Sequence, residues 1–425
     1  MNWQQRDAAC IWHPFTPASA APEIAVIKAE GIWLHTEDGR KILDGTSSWW
    51  VNAHGHAHPY IAERLTQQAK TLEHIIFAGF THPPAVELAE NLLRFINGGH
   101  SRIFYSDNGS TAVEVALKMT LQFFKNQNIP KKRIIAFENA YHGDTFGAMS
   151  VGHRNAFSAA FSELLFDVDF IPTPELGKED TSIAKLNELI KKGDVAAFIF
   201  EPLIQGAGGM RMYCAKTLNT LLEHCESHGV LTIADEVFTG FYRTGTPLAV
   251  HQLNKLPDII CLSKTLTGGT LPLGVTAVPE FIFNAFQSKH PNHTFFHGHS
   301  FTANPLSCTA ALASLELLEM ETCLKNIQFI EQQHQAFAEA IKEHKAVFEV
   351  RCLGTILAIE LKTPSESGYL NPIAPQLSKF FLERNIYLRP LGNVVYFTPP
   401  YIINEDELRI VYSAILECFE VHFNT

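Results

Sequence analysis

The sequence contains no C-x-x-C pair, and its eight cysteines never stand closer than eleven residues apart. A disulfide framework is therefore not expected, and reduced, mostly structural thiols in a cytoplasmic protein fit the pattern. No block of basic residues stands out, and Lys+Arg number 33 against 44 Asp+Glu, a net charge of −11. Without a basic footprint, nucleic acid is not expected as a partner. Long apolar runs are also missing: the longest uncharged stretch, around 297–315, is broken by Asn304 and Pro305. Neither a membrane span nor, in MNWQQRDAACIWHPF, a secretion signal is indicated. No low-complexity tract and no period of 20–50 residues is present, which disfavours a solenoid or propeller.

What remains is a globular composition, 46% apolar and 18% charged over 425 residues, long enough for a large core. Between about 100 and 280, short apolar runs alternate with helical patterns: RIFYS (102–106), RIIAFE (133–138), VAAFIFE (195–201), VLTIADE (230–236), DIICLS (258–263) and LGVTAV (273–278). Such runs read as buried parallel strands covered by helices on both faces, an α/β fold. Apolar positions at 113, 117, 120/121 and 124 predict a helix from Thr111 to Phe124, opened by a capping box of Thr111 and Glu114. From about 313 a long helical pattern leads into short strands near 347–361 and 386–398, then a last helix capped by Asn404 with Glu407. This tail reads as a second, α+β domain. Pro172, Pro174, Gly177 and the charged run after them predict a surface loop near 172–182.

Two predicted strands end in reactive groups. Asp235 follows VLTIA, and Lys264 follows DIICLS just before Gly268 and Gly269. Open α/β sheets bind ligands beyond the carboxyl ends of their strands, so both side chains are expected in one crevice; a helix cap and a surface lysine are the plainer readings. The Gly109-Ser110 turn offers backbone N–H groups and a hydroxyl at a helix N-terminus, either an anion cradle or only a capped turn. No G-K-[ST] follows it, and it is not G-x-G-x-x-G, which counts against ATP and NAD. Phe15, Trp49, Trp50 and Tyr141 either fill core or stack on a flat heterocycle. Arg389 and Arg243, beside turns, suit a substrate carboxylate or a structural ion pair. The histidines of HGHAH (54–58), with His142, His297 and His299, raise metal-dependent hydrolysis as a rival chemistry. His58-Pro59 and the flanking glycine favour a turn there, and no metal ligand is assigned.

Taken together, DNGSTAVEVALK (107–118), AYHGDTFGAMSV (140–151), EPLIQGAGGM (201–210), ADEVFTGFYRTG (234–245), SKTLTGGTLPLG (263–274) and HGHSFTANPLSC (297–308) resemble the fold-type I pyridoxal-phosphate enzymes, specifically the class III (omega) aminotransferases. The resemblance runs from about residue 11 to 401. It implies a large, mostly parallel-sheet domain at 49–312 and a smaller α+β domain at 313–425. Residues 1–48 would join the small domain and the active-site entrance. IWHPFT (11–16), DGTSSWWVNAHGHAHP (44–59) and LRPLGNVVYFTPPYII (388–403) are similar to a biotin-pathway branch of the class. Its members take an amino group from S-adenosylmethionine and pass it to 8-amino-7-oxononanoate. Omega-aminotransferases using lysine, a diamine or an ω-amino acid are the alternative within the fold.

The resemblance implies a role for each matching residue. Lys264 would carry pyridoxal 5′-phosphate and shuttle the proton, while Asp235 would hold the pyridine nitrogen protonated. Tyr141 would cover the ring. Gly109 and Ser110 would bind the phosphate, joined by His299 and Ser300 across a homodimer interface. Arg389 would pair the acceptor's carboxylate, with Phe15, Trp49, Trp50, Tyr141, Asp144 and Gly298 around the substrate. Three departures stand out. Phe238 occupies a position where many class members have Gln, Phe15 replaces the Tyr of W-H-P-Y-T and so lacks its hydroxyl, and Ser300 replaces Thr.

Overall fold

The computed structural model describes residues 2–20, 24–154, 157–175 and 177–423. Seven strands form the central sheet: His100–Ser106, Arg133–Phe137, Asp169–Ile171, Val195–Phe200, Leu231–Asp235, Ile259–Leu262 and Gly274–Pro279. Their spatial order begins with His100–Ser106 and continues through Gly274–Pro279, Ile259–Leu262, Leu231–Asp235, Val195–Phe200 and Arg133–Phe137 to Asp169–Ile171. The six apolar runs are all strands. Five of them run parallel and Gly274–Pro279 pairs antiparallel with both neighbours, so the sheet is mostly parallel, as the resemblance implies, although LGVTAV itself does not read as an antiparallel strand. Hydrophobicity reports burial on both faces and is blind to strand direction. The seventh strand, Asp169–Ile171, is only three residues long and shows no apolar run to notice.

The helix expected at Thr111 begins earlier, at Gly109, and runs to Asn126. Its capping box is made by Asn108 and Thr111, each side chain bonding the other's backbone N–H at 3.0 Å. Glu114 instead accepts from the N–H groups of Gly147 (2.7 Å) and Ala148 (3.1 Å), tying down the start of the next helix. Gly109 and Ser110 thereby fall inside the first helical turn rather than before it. The charged run near 178–180 opens the helix Glu179–Ile190, with Glu179 and Asp180 in its first turn, where they complement the helix dipole.

The helical pattern from 313 belongs to two helices, Pro305–Leu318 and Glu321–Ile341, separated at Glu319-Met320. The first is buried nearly all round and packs on the helices Pro59–Thr71 and Pro83–Ile96 and on the turn after Lys264. The second covers the antiparallel sheet Val347–Leu353, Ile356–Leu361 and Val394–Phe397. The final helix, Glu405–Phe423, is capped by Asn404 and Glu407 through reciprocal 3.0 Å bonds, as the sequence predicts.

A third sheet joins the two ends of the chain. Strands Val26–Glu30, Trp33–Thr36 and Lys41–Asp44 form an antiparallel meander, and Ile386–Tyr387 adds to its edge in parallel with Leu43 and Asp44. Ile32 and Leu43 accordingly pack into the same apolar cluster as Ile330, Phe397 and Phe419.

Candidate active site

Three neighbouring strands deliver charged groups to one end of the sheet. Val195–Phe200 runs into Glu201, Leu231–Asp235 ends on Asp235, and Ile259–Leu262 is followed by Ser263 and Lys264. All three side chains line one cavity of about 650 Å³. Asp235 is buried and doubly held: its Oδ2 lies 2.7 Å from His142 Nδ1, and its Oδ1 accepts from the Val237 N–H at 3.0 Å. His142 thus presents an Nδ1–H to the carboxylate and fixes its plane.

Lys264 opens a short 3₁₀ turn with a left-handed backbone, φ 47°. Its Nζ sits 4.6 Å from the centre of the Trp50 ring and 5.5 Å from that of Phe238. Burial lowers its pKa to about 8, against the opposing pull of Asp235 and Glu201. A lysine so placed exchanges its proton near neutral pH. Glu201 accepts from the backbone N–H groups of Tyr141 (3.0 Å) and Gly206 (2.9 Å), and burial raises its pKa to about 7. The sequence assigns no role in this site to Glu201 or His142. Glu201 does follow VAAFIF directly, the same strand-end position that marked Asp235.

At the far side of the crevice the helix beginning at Gly109 points its first turn, with intrinsically unpaired N–H groups, at the cavity. The backbone approaches closely there. A Cβ on Gly109 would lie 2.6 Å from Val237 Cγ1, and one on Gly143, at φ +126°, would lie 2.0 Å from Ser110 Oγ. Ser110 Oγ also accepts from the Asp144 N–H at 3.3 Å. Tyr141 donates its hydroxyl to Asp144 Oδ2 at 2.9 Å, and burial with the adjacent carboxylate raises its pKa.

The aromatic wall is built on an unusual backbone. Ser47, Ser48 and Trp50 are all left-handed, with φ 51°, 58° and 64°, conformations that cost non-glycine residues energy and persist only when their surroundings fix them. Asp44 supplies that fixing. Its Oδ1 accepts from the Thr46 N–H (3.1 Å), and its Oδ2 accepts from the Ser48 N–H (2.7 Å) and lies 2.8 Å from His56 Nε2. Ser47 Oγ donates to Thr398 O at 2.8 Å. Trp50 is thereby turned onto Phe238, ring centres 4.6 Å apart, and Trp49 onto Phe15 at 5.5 Å. The Arg389 guanidinium lies over Trp49 at 4.4 Å. Phe238, an apparent departure in the sequence, is thus part of the lysine's aromatic wall.

Phe15, Trp49, Trp50, Gly109, Ser110, Tyr141, Asp144, Asp235, Lys264 and Arg389 are brought together in this cavity. Gly298, His299 and Ser300 do not line it; His299 faces Asp107 at 3.7 Å and His297 at 3.2 Å. Arg243 does not line the cavity; it is fully buried and donates to Thr398 Oγ1 (3.0 Å) and Pro399 O (3.2 Å). The HGHAH histidines diverge, His54 to Ser314 Oγ at 3.0 Å and His56 to Asp44. Among the described residues no group of three His, Cys, Asp or Glu side chains is arranged to hold a metal ion.

Residues 15–419 match the family "aminotransferase class-III", and the chain belongs to that family. Among its relatives is the adenosylmethionine-8-amino-7-oxononanoate aminotransferase of Synechococcus elongatus, 49% identical over 96% of this chain and 98% of the relative. The crystal structure of the enzyme of the same name from Methanocaldococcus jannaschii superposes with a TM-score of 0.90 at 34% identity, covering 97% of this chain and 98% of that one. An amine transaminase from an uncultivated Pseudomonas species, crystallised in its PLP-bound form, gives 0.91 at 29% identity over 97% and 98% of the two chains.

Proposed function

We propose that this aminotransferase uses pyridoxal phosphate to move the amino group of S-adenosylmethionine to the ketone of 8-amino-7-oxononanoate, giving 7,8-diaminononanoate for biotin synthesis. The observation that carries the reading is the convergence of Lys264, Asp235 and Arg389 on one aromatic-lined cavity. The names of the relatives agree with it.

The residues fit the cofactor. The helix turn at Gly109-Ser110 offers the anion cradle, kept open because a Cβ at Gly109 would strike Val237. Asp235, held by His142 and Val237, presents a carboxylate at the opposite end. When bound, pyridoxal phosphate supplies an electron sink for negative charge at the carbon that carries nitrogen. Asp235 holds a proton on the ring nitrogen, and His142 keeps the carboxylate aimed there. Lys264 Nζ moves the proton at the reacting carbon, a task suited to a pKa near 8. Glu201 anchors the backbone of Tyr141, whose ring covers the site. Arg389 binds the acid's far carboxylate bidentately, and Trp49 beneath its guanidinium fixes the fork. In the first half-reaction the donor leaves as a 2-oxo acid; in the second the ketone receives the nitrogen.

The chain acts as a homodimer in the cytoplasm, with Gly298, His299 and Ser300 of the partner subunit completing each cavity. In support, these residues lie outside their own protomer's cavity, in a segment with Phe296 and Phe301 74% and 60% exposed. All eight cysteines are unpaired. Among the described residues, no helix is long and apolar enough to cross a membrane.

The test is the visible spectrum of the purified holoenzyme, titrated with S-adenosylmethionine alone and then with 8-amino-7-oxononanoate. Bleaching by the donor and recovery with the ketone is expected. Bleaching only by lysine or a diamine would overturn the donor, and a protein that never binds pyridoxal phosphate would overturn the whole reading.

A further inference from the structure

A short hairpin beside the active site is held from outside it. Strands Ile204–Gln205 and Arg211–Met212 pair antiparallel, and the turn between them has left-handed backbone at Gly209 (φ 96°) and Met210 (φ 52°). Such a turn leaves carbonyls without strand partners, and they need other donors. Two guanidiniums supply them: Arg211 Nε donates to Gly208 O and Arg351 Nη2 to Gly209 O, both at 3.1 Å. Arg351 stands on Val347–Leu353 of the antiparallel sheet, where its Nη1 also donates to Glu349 and, at 2.9 Å, to Glu360 Oε2. Its side chain is only 9% exposed, and it does not line the active-site cavity. One planar fork thus binds carboxylates of the sheet and a carbonyl of the turn together, a geometry that the compact ammonium of a lysine does not reproduce.

The turn has no slack on its inner side. A Cβ on Gly206 would lie 2.8 Å from Phe238 Cδ1, and one on Gly208 would strike Asn139 O. The turn is therefore wedged between the aromatic wall of Lys264 and the stretch that leads into Tyr141. The Gly206 N–H donates to Glu201 Oε2 at 2.9 Å, and the Tyr141 N–H donates to Glu201 Oε1 at 3.0 Å. One buried carboxylate links turn and tyrosine. A shift of the turn is passed to Tyr141 through that link, and misplacements of about 1 Å caused far from the chemistry are enough to slow it.

We propose that Arg351 is a positioning residue for transamination: it clamps the 206–210 turn to the antiparallel sheet and, through Gly206 and Glu201, holds Tyr141 in place. From outside the cavity it acts only through these residues. The inference rests on the role proposed for Tyr141 over the cofactor ring.

Arg351→Lys tests the clamp, because it keeps a positive charge beside Glu360 and gives up the fork. In the holoenzyme, hydrogen exchange should speed about tenfold at the Tyr141 and Gly206 amides while Val195–Phe200 keeps its wild-type rates, and kcat should fall about tenfold. Glu201→Gln leaves one of the two N–H groups without an acceptor and so cuts the link; in that background Arg351→Lys should change kcat less than about twofold. Exchange that is unchanged at Tyr141, or that rises equally across the central sheet, would overturn the proposal. So would a tenfold fall in kcat that persists undiminished in the Glu201→Gln background. Arg211→Lys spares the Arg351–Glu360 pair and gives a second reading if Arg351→Lys does not fold: it should speed the same two amides, and unchanged rates would count against the clamp. A protein that shows this exchange behaviour but never takes up pyridoxal phosphate would keep the clamp and overturn the functional reading beneath it.

Discussion

Replacing Asp44 by Asn should disable the site from a distance, although Asp44 does not line the cavity. The carboxylate uses both oxygens, Oδ1 for the Thr46 N–H and Oδ2 for the Ser48 N–H and His56. Asparagine keeps the shape but has one oxygen, so one of the two N–H groups must face an amide donor. A hydrogen bond to an ionised acceptor contributes about 1.5–3 kcal/mol, and an orphaned buried N–H adds a penalty of similar size. A net loss of roughly 3–6 kcal/mol follows. Against this stand the three left-handed residues Ser47, Ser48 and Trp50, each strained by about 1 kcal/mol or more. The clamp and the strain are comparable, so weakening the clamp should let the segment relax and carry Trp50 off Lys264. Urea unfolding would measure the stability loss, tryptophan fluorescence the reorientation, and kcat/KM the consequence, expected to fall at least about tenfold. A variant within about 0.5 kcal/mol of wild type and with full kcat/KM would refute the reasoning.

Other expectations are simpler. Lys264→Ala should abolish steady turnover while the protein still takes up pyridoxal phosphate; near-normal turnover would remove Lys264 from the chemistry. Arg389→Ala should raise the KM for the acid acceptor far more than that for the donor, and an equal loss in both would deny it the carboxylate. Glu201 has its pKa raised by burial from 4.5 to about 7, so the folded state favours its protonated form, and its contribution is lost as pH rises from about 4.5 through 7. Glu201→Gln should therefore flatten the decline in stability over that window, as chemical denaturation at pH 5, 6 and 7 would show; an unchanged slope would place the titration elsewhere.

The legible parts of this molecule were those that depend on local pattern. Buried strands announce themselves by apolar runs, so Asp235 and Lys264 could be placed at strand ends and expected in one crevice, as the cavity has them. The direction of Gly274–Pro279 was hidden because both of its faces are buried whichever way it runs. Thr111 and Glu114 satisfy a capping pattern, yet Asn108 stands three residues before Thr111 and competes for the same backbone; the better acceptor won. The HGHAH run looked like ligand chemistry, although His56 serves the Trp50 segment through Asp44. That link requires a left-handed backbone, which sequence does not report. Glu201 satisfies the same strand-end rule, but its partners are the backbone N–H groups of Tyr141 and Gly206, which no side-chain motif announces.

The sheet that joins the chain's two ends bears on how the protein is made. Ile386–Tyr387 closes a strand synthesised far earlier in the chain, and the Ser47–Thr398 bond spans 351 positions. Until residues 386–398 have emerged from the ribosome, the meander at 26–44 has an uncovered edge and the Trp49-Trp50 segment has no fixed seat. Contacts of such high order form late and slowly, and open strand edges invite wrong partners in the meantime. A nascent chain truncated before residue 386 should therefore depend on chaperones and show no activity, however completely its central sheet has folded.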